Sequence, residues 1–211
     1  IQINSGTTTL KTLLVNDISL NGGSLISYSS TGNLNIDGCT FTNIQKTNAG
    51  NGSVINGMLS STSGIIQITG SSTTSFTNCQ VTSSGLGGAI YLDIQTGGES
   101  KYDFSKASYS IDNSAQYGKS LFINATNLRT AVPLGDGSRI KLGALNPETD
   151  FYNLMGYDNG DDSIAIPLYY MYTGIEENVY HVNIDNGQSS GSIGGIDNIG
   201  KFNSETYWDY K

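Results

Sequence analysis

The sequence has little charge, little proline, two cysteines and one histidine. Charged residues make up 13% of its 211 residues, about half the ~25% of an average globular domain. This excludes a coiled coil or a long-helix protein. A disordered chain fits this composition poorly, because 36% of the residues are hydrophobic and only three are proline. The composition therefore predicts a folded domain with an apolar core.

Basic clusters and long apolar runs are missing as well. The net charge is −8 with 10 Lys and Arg, so we expect no nucleic-acid partner, because phosphate binding needs clustered cations. No apolar run approaches the ~20 residues that cross a bilayer, and we expect no membrane insertion. The chain opens on Ile1 without a basic and apolar leader, which is typical of a mature or excised segment.

Cys39 and Cys79 are the only cysteines, and His181 stands far from both. These numbers exclude a disulfide scaffold and a zinc site built on a close cysteine pair. Relative to the repeat described below, the two cysteines are offset by about five residues, or about 16 Å along a strand. A disulfide needs Cα atoms within ~7 Å. We expect two free thiols, with Cys39 in the core.

Glycine (27), serine (27), threonine (20) and asparagine (21) dominate the sequence. Such a composition is typical of many secreted and surface proteins. Two glycosylation motifs occur, Asn51-Gly52-Ser53 and Asn124-Ala125-Thr126, although two are near chance expectation in a chain this rich in Asn, Ser and Thr. They are compatible with an extracellular or cell-surface location and make Asn51 and Asn124 candidate glycosylation sites.

A 35-residue repeat is visible in the first half of the chain. Phe41-Thr42-Asn43 recurs as Phe76-Thr77-Asn78 and, weakened, as Ile111-Asp112-Asn113. Each copy is preceded by a short apolar segment, at 34–36, 65–68 and 102–104. Each is followed by a glycine and an apolar run, starting at Gly52, Gly88 and Gly118. A fainter copy covers residues 13–26. One repeat therefore holds three short strand-like segments separated by polar turns.

Three short strands per repeat predict an all-β solenoid in which each coil stacks on the next. We expect residues 1–125 to form a single-stranded right-handed parallel β-helix of about three to four coils. Equivalent side chains then form ladders: Phe41, Phe76 and Ile111 an apolar one, and Asn43, Asn78 and Asn113 an amide one. The alternative is a β-sandwich with accidental matches. Three features that share one period favour the solenoid.

The second half, residues 126–211, has a different character. It holds all three prolines, and residues 101–211 hold 16 of the 20 aromatic residues. Asn146-Pro147 reads as a helix start that Gly156 would close, and residues 163–173 and 179–184 read as strands. Because a solenoid end exposes unpaired backbone and apolar surface, we expect this aromatic-rich segment to cap the coils or link them to a neighbour.

Polysaccharide-cleaving chemistry is the main enzymatic alternative. Arg139-Ile140-Lys141 matches a tripeptide of polygalacturonases, and Asp161-Asp162 resembles their paired aspartates. Their order along the chain is reversed relative to that family, however, and its Gly-His-Gly is missing. Nothing in the pattern places two carboxylates across a groove. We expect no enzymatic activity, with a polysaccharide lyase or a glycan-binding module as the alternative.

Two further sites are suggested by residue type alone. Asp158, Asp161 and Asp162 are candidate calcium ligands in a turn without EF-hand spacing, so a solvated acidic turn is the simpler interpretation. Calcium is the one cofactor that the sequence suggests. A set of aromatic residues offers either an exposed interface or the buried face of a cap: Tyr169, Tyr170, Tyr172, Tyr207, Trp208 and Tyr210.

Two resemblances follow from these motifs. Phe76-Thr77-Asn78 with Gly87-Gly88-Ala89-Ile90 resembles the paired motifs of polymorphic outer-membrane-type, pectate-lyase-like β-helix repeats, with the Asn one residue early. Residues 150–185 resemble segments of tandem-repeat surface proteins of anaerobic flagellate protists, which link one solenoid unit to the next. Those segments often carry Cys-Gly where this chain has Gly194-Gly195.

The resemblances imply an extracellular, non-catalytic structural protein or adhesin. We expect it to self-assemble into a filament or coat, or to form one unit of a tandem surface protein. The expected partners are further copies or neighbouring repeat units, and a glycan is a further candidate partner. A calcium-stabilised adhesin is a third alternative.

Overall fold

The computed structural model describes residues 1–132, 141–143, 152–158 and 165–168, and this part of the chain is mostly β-strand. The strands are β1 (Gln2–Ile3), β2 (Thr7–Lys11), β3 (Leu14–Leu20), β4 (Ile26–Tyr28), β5 (Asn33–Asp37), β6 (Thr40–Lys46), β7 (Ile55–Leu59), β8 (Ile66–Ile68), β9 (Thr74–Thr77), β10 (Ile90–Ile94), β11 (Tyr102–Asp103), β12 (Ala107–Tyr109), β13 (Leu121–Ala125), β14 (Leu154–Asp158) and β15 (Ile166–Pro167), and the helix is α1 (Leu128–Ala131). No helix in these residues is long and apolar enough to span a membrane.

The strands form three sheets that the chain visits in rotation. The first sheet has the order β1-β4-β7-β10-β13-β14-β15, the second β11-β8-β5-β2 and the third β12-β9-β6-β3. All pairs are parallel except β14 with β15. We call each run of three strands a triplet: β2–β4, β5–β7, β8–β10 and β11–β13. The predicted all-β fold with parallel stacked strands is confirmed at this level.

Alternating burial along the strands explains why each segment adopts this conformation. In β5 the side chains of Leu34 and Ile36 are buried, and their neighbours in the strand are not. Their register partners in β8 are Ile66 and Ile68, which are also fully buried. Successive residues of a strand point to opposite faces, so one face of each strand supplies the core. Each such aliphatic side chain stabilises the fold by about 1.5–3 kcal/mol.

A left-handed glycine precedes the third strand of three triplets. Gly52, Gly87 and Gly118 have φ of 56°, 64° and 60°. A Cβ at any of them would lie only 2.0–2.3 Å from the carbonyl oxygen three residues later. Only glycine fits this close approach. The predicted glycine turn is confirmed, with Gly87 rather than Gly88 in the left-handed position.

Aromatic side chains stack along the third sheet. Phe41 is the register partner of Phe76, and Phe76 is the partner of Tyr109, 33 positions further on. The prediction for Ile111 is therefore wrong, and Ile111 is 60% exposed. The reason is that the turns between strands differ in length from one triplet to the next, as turns at a surface tolerate, so a constant interval of 35 overshoots by two.

The first sheet continues past the domain boundary predicted at residue 125. Strand β14 pairs in parallel with β13, which ends at Ala125. Gly156 lies inside β14, so the helix predicted to close at Gly156 does not end there, while residues 144–151 lie outside the described ranges. The described helix is α1, where Asn127 caps the start by accepting a hydrogen bond from Thr130 N.

Candidate functional site

Two asparagines of the repeated motif form a hydrogen-bonded column with an aspartate. Asn43 and Asn78 are left-handed, with φ of 56° and 51°, and Asp17 has φ of 57°. Asn78 Nδ2 donates to Asn43 Oδ1 at 2.6 Å, and Asn43 Nδ2 donates to Asp17 Oδ1 at 2.8 Å. Asn and Asp tolerate this backbone better than other residues do. We call this column the amide ladder, and it holds the same bend in three successive triplets.

Asn113 does not continue the amide ladder, so that part of the prediction is wrong. Its side chain is only 2% exposed. Asn113 Oδ1 accepts from Cys79 N at 2.7 Å, and Nδ2 donates to Phe76 O at 3.1 Å and to Ser120 Oγ at 2.7 Å. The bond from Cys79 N satisfies a buried backbone N–H whose loss of a partner would be costly. Asn113 therefore joins a turn to the interior.

Both cysteines are free and buried, as predicted. Cys39 and Cys79 are each fully enclosed, and Cys79 Sγ lies 3.7 Å from Phe41 O and 3.6 Å from Thr77 O. Burial raises the pKa of the Cys79 thiol to about 12. A thiol held in this protonated form is a poor nucleophile and a poor metal ligand. The cysteines therefore act as core residues.

The first glycosylation motif is built into the contact between two triplets. Asn51 Oδ1 accepts a hydrogen bond from Leu86 N at 2.9 Å, and the Asn51 carbonyl accepts one from Lys46 Nζ at 3.1 Å. Ser53, the hydroxyl residue of the motif, is fully buried and donates to Gly88 O at 2.6 Å. The polar groups of this motif are therefore engaged in structural bonds.

The second glycosylation motif borders a polar depression at the carboxyl ends of β7, β10 and β13. The depression has a volume of about 490 Å³. Asn124 Nδ2 donates to Asp93 Oδ1 at 3.2 Å, and both residues line the depression. Thr126 is exposed. Its lining consists of hydroxyl, amide and carboxylate groups with one alanine: Ser60, Ser61, Asp93, Gln95, Thr96, Asn124, Ala125 and Thr126.

Of the three predicted calcium ligands, Asp158 lies within the described residues, and Asp161 and Asp162 lie outside them. Asp158 Oδ1 accepts from Leu128 N at 2.7 Å, so this carboxylate satisfies the first N–H of α1. The described residues contain no group of three or more His, Cys, Asp or Glu placed to hold a metal ion. Calcium binding stays a prediction, which the change of melting temperature on adding a chelator tests.

The six predicted interface aromatics lie outside the described residues. The described part instead holds an aromatic cluster on the face of the first sheet opposite the core. Tyr91 and Phe122 stack with centroids 6.3 Å apart, and Phe122 meets Tyr157 edge-on at 4.6 Å. The signal in the sequence is that Phe122 stands between Leu121 and Ile123, since a continuous apolar run is typical of a strand buried on both faces.

Lys141, from the tripeptide shared with polygalacturonases, has a structural environment. Its Nζ donates to Glu99 O at 2.6 Å and to Ala131 O at 3.2 Å, and it lies 3.9 Å from the centre of the Tyr102 ring. Burial lowers the pKa of Lys141 to about 8, although Asp103 and Glu99 oppose this shift. Arg139 and Ile140 lie outside the described residues. Lys141 thus connects the segment after α1 with β11, the strand that ends the second sheet, through its contact with the Tyr102 ring.

The amino-terminal end of the three sheets presents an open edge. Strands β1, β2 and β3 each end their sheet and, in the part of the chain that the structure describes, have no neighbour on the far side. Leu13 O accepts from Thr40 N at 2.8 Å. Within one trans peptide the C=O and the N–H of the next residue point in opposite directions. The Leu14 N–H therefore points away from β6, toward the open side of the sheet.

The same geometry holds in the other two sheets. Ile1 O accepts from Ser27 N, and Gly6 O accepts from Asn33 N, so the N–H groups of Gln2 and Thr7 also point outward. Two apolar side chains of this segment are also exposed: Leu13 is 40% exposed and Leu14 is 72% exposed. The open edge thus combines free backbone donors with exposed leucines.

No protein-family model, no curated protein and no solved structure matches this chain. The function is therefore argued from the geometry of the chain itself.

Proposed function

We propose that the chain is a right-handed parallel β-helix that serves as a non-catalytic structural or adhesive module outside the cell or at its surface. The rotation of the strands through three parallel sheets supports a helix of this kind. Right-handedness is expected because connections between parallel strands of one sheet are almost always right-handed. The resemblance to surface-protein repeats supports the location.

The observation that carries the proposal is the open edge of β1, β2 and β3. An unpaired strand edge is a template for another strand, and the exposed leucines beside it lose contact with water when a second chain covers them. The occupant we propose is another copy of this chain. Repeated association of this kind builds a coat or a filament, and in a tandem protein the neighbouring unit takes the same place.

Sedimentation velocity of the purified chain over a range of concentrations tests the proposal, with electron microscopy of the concentrated sample. We expect reversible self-association. Leu14→Pro removes an outward N–H and leaves Leu13 O free to accept from Thr40 N, so this variant should associate more weakly. Leu14→Ala is the matched control because it shortens the same side chain and keeps the N–H.

The result that contradicts the proposal is a sample that stays strictly monomeric at high concentration. A Leu14→Pro variant that associates as strongly as Leu14→Ala also contradicts the part assigned to the open edge. Circular dichroism and thermal melting of both variants establish that each is folded before they are compared.

Glycan binding is the second candidate function, and the polar depression favours it. Hydroxyl and amide side chains with one carboxylate can bond the hydroxyl groups of a sugar, and a volume of about 490 Å³ lies in the range of ligand sites. Binding of an oligosaccharide panel, followed by NMR, tests this function and should weaken in Asp93→Ala. Assays for new reducing ends or unsaturated products from acidic polysaccharides test for catalysis.

A further inference from the structure

We infer that Asn21 is a site of spontaneous conversion to aspartate and isoaspartate, and that the fold protects Asn51 and Asn56 from the same reaction. Each of these asparagines is followed by a glycine. The reaction begins when the backbone nitrogen of the following residue attacks the side-chain carbonyl carbon. Glycine permits this attack because it has no side chain in the way and a permissive backbone. Two further Asn–Gly pairs, at 159–160 and 186–187, lie outside the described residues.

The chemical steps need only water as a reactant. Gly22 N forms a bond to Asn21 Cγ, and its proton passes through water to the side-chain nitrogen, which departs as ammonia when its bond to Cγ breaks. The product is a cyclic imide. Water then adds to one of the two carbonyl carbons of the ring, whose bond to Gly22 N breaks. One opening gives aspartate, and the other gives isoaspartate, in which the backbone runs through the side-chain carbon atoms.

The hydrogen bond of the glycine N–H decides which pair can react. The nitrogen of the cyclic imide carries no hydrogen, so formation of the ring breaks any hydrogen bond that this N–H makes in the folded chain. A backbone acceptor that is buried and loses its partner costs free energy. A pair whose glycine N–H is bonded within the fold is therefore protected, and a pair whose glycine N–H has no such bond is not.

The Asn51 pair is protected by bonds between the second and third triplets. Gly52 N donates to the carbonyl oxygens of Leu86 and Gly87 at 3.1 and 3.0 Å. Asn51 Oδ1 accepts from Leu86 N at 2.9 Å, which holds the side chain as well. A Cβ placed on Gly52 would lie 2.1 Å from Ile55 O, so this turn is also tightly packed. Formation of a ring here would break the contact between the two triplets.

The Asn56 pair is protected by its place in the middle of a sheet. Gly57 lies inside β7, which has β4 on one side and β10 on the other. Ile55 N donates to Ala89 O at 3.0 Å. Gly57, two residues further on, points its N–H to the same side, toward β10, because the N–H groups of a parallel strand alternate between its two neighbours. The ring would remove this bond from the centre of the first sheet.

The Asn21 pair meets no such restraint in the part of the chain that the structure describes. Asn21 is exposed and directly follows β3. None of the described residues accepts a hydrogen bond from Gly22 N. A Cβ placed on Gly22 would have no atom of a more distant residue within 4 Å, so water reaches this turn. The attacking nitrogen and the side-chain carbonyl carbon are therefore free to react.

The one side-chain contact of Asn21 favours the reaction and tolerates its product. Asn48 Nδ2 donates a hydrogen bond to Asn21 Oδ1. A donor at this oxygen stabilises the negative charge that develops there as Gly22 N attacks. After conversion to aspartate the same donor faces a carboxylate, and a hydrogen bond to a charged acceptor is stronger than one to a neutral amide. The folded chain can therefore accumulate the aspartate form.

Peptide mapping by mass spectrometry tests the inference on the full folded chain, sampled during incubation at neutral and mildly alkaline pH. Cleavage after lysine and arginine places Asn21 in the peptide 12–46 and the other two asparagines in the peptide 47–101. Fragmentation distinguishes Asn51 from Asn56. We expect Asn21 to convert at least about tenfold faster than either, because breaking a bonded backbone group raises the barrier for the other two.

The same chain in urea is the matched control. All three asparagines precede glycine, and none of the glycine N–H groups is held by the fold, so the three rates should be similar. Asn21→Gln should not convert at this position, since its longer side chain has to close a larger ring. An Asn21 that stays unchanged in the folded chain while the unfolded chain reacts overturns the inference. So does an Asn51 or Asn56 that reacts as fast as Asn21 in the folded chain.

Conversion of Asn21 also adds a negative charge beside the open edge, and this consequence rests on the proposed function. The chain already has a net charge of −8, so a further carboxylate at the edge repels a second copy. Sedimentation velocity should show weaker association for Asn21→Asp than for the neutral Asn21→Gln, with a smaller difference at high salt. Equal association overturns this consequence alone. A wild-type chain that stays monomeric removes the proposed function, whereas the peptide map decides the modification independently.

Discussion

Phe41 and Phe76 stack with their ring centroids 5.3 Å apart and their planes within 11° of parallel. They are 35 positions apart in the sequence and are register partners in neighbouring parallel strands. Tyr109 extends the stack beyond Phe76 at 6.0 Å. A single aromatic position thus connects three successive triplets.

Truncation of the central ring should destabilise the chain strongly. Phe76 is fully buried with an aromatic neighbour on each side, so Phe76→Ala removes two stacking contacts and leaves a cavity. We expect a loss of about 3–5 kcal/mol in the free energy of unfolding, measured by urea denaturation. Ile111→Ala is the control, because the exposed Ile111 should change stability by less than about 0.5 kcal/mol. A larger effect at Ile111 than at Phe76 would contradict the register.

Variants of Asn78 in the amide ladder separate the contribution of backbone strain to stability from that of hydrogen bonding. Asn78 combines a positive φ with a bond to Asn43. Asn78→Gly removes the amide and keeps the conformation accessible, at a cost of about 0.5–1.5 kcal/mol. Asn78→Ala should cost about 1–2 kcal/mol more, because alanine disfavours left-handed backbone. Equal unfolding free energies for the two variants would show that the backbone at this bend carries no strain.

Stability should depend on pH through Lys141. The pKa of Lys141 is about 8 in the folded chain and 10.5 for an ordinary lysine. Between these values the unfolded chain holds a proton that the folded chain has lost, so the contribution of Lys141 to the free energy of unfolding increases as pH rises. Below pH 8 both states are protonated and the contribution is constant.

Urea denaturation between pH 7 and pH 10.5 measures this contribution as a difference between variants. Lys141→Met should lose the upward slope, whereas Lys119→Met, at an exposed position, should follow the wild type. Buried Cys79 acts in the opposite direction above pH 9, because its raised pKa keeps the proton in the folded state. Comparison at equal pH cancels that term. Parallel curves for Lys141→Met and the wild type would contradict the lowered pKa.

The two thiols should be inert in the folded chain. Both cysteines are fully buried, so a colorimetric thiol reagent at pH 8 should label neither under native conditions and both after denaturation. The native labelling rate then reports opening of the core. Rapid labelling of one thiol without denaturant would show that the contact between β6 and β9 opens locally.

The sequence anticipates features that repeat within one strand or one turn. Phe41 and Phe76 are recognisable because strand alternation and an unchanged interval place both on the core side, and the glycine turns because left-handed backbone leaves few alternatives. A constant interval of 35 residues does not predict Tyr109, because only 33 positions separate it from Phe76 and the shorter turn is not visible in the sequence. The sequence does not distinguish Asn113, which is buried, from the asparagines of the amide ladder, because the residue type alone does not show whether a side chain lies at a bend or in the core.

Sites assembled from several strands are harder to read from the sequence. The depression draws on residues 60–61, 93–96 and 124–126, which become neighbours only once the strand register is known. The sequence does not predict strand β2, since Thr7–Lys11 is polar at most positions and three of its five side chains are exposed. Its place in the second sheet follows from pairing with β5, which is a tertiary effect.

The hydrogen bonds among Asn78, Asn43 and Asp17 all run in one direction. Each amide nitrogen reaches back toward the amino-terminal side, and the series stops at a carboxylate, which in its ionised form only accepts. The hydrogen-bonded column therefore has a direction, and its acceptor end is the Asp17 carboxylate on the edge strand β3. Asp17 is exposed and its second carboxylate oxygen accepts from Asn16 Nδ2 at 2.9 Å. A chain that docks on β3 therefore meets a carboxylate, and we expect a partner with an ammonium, a guanidinium or an amide N–H at this place to bind better than one with an acidic group.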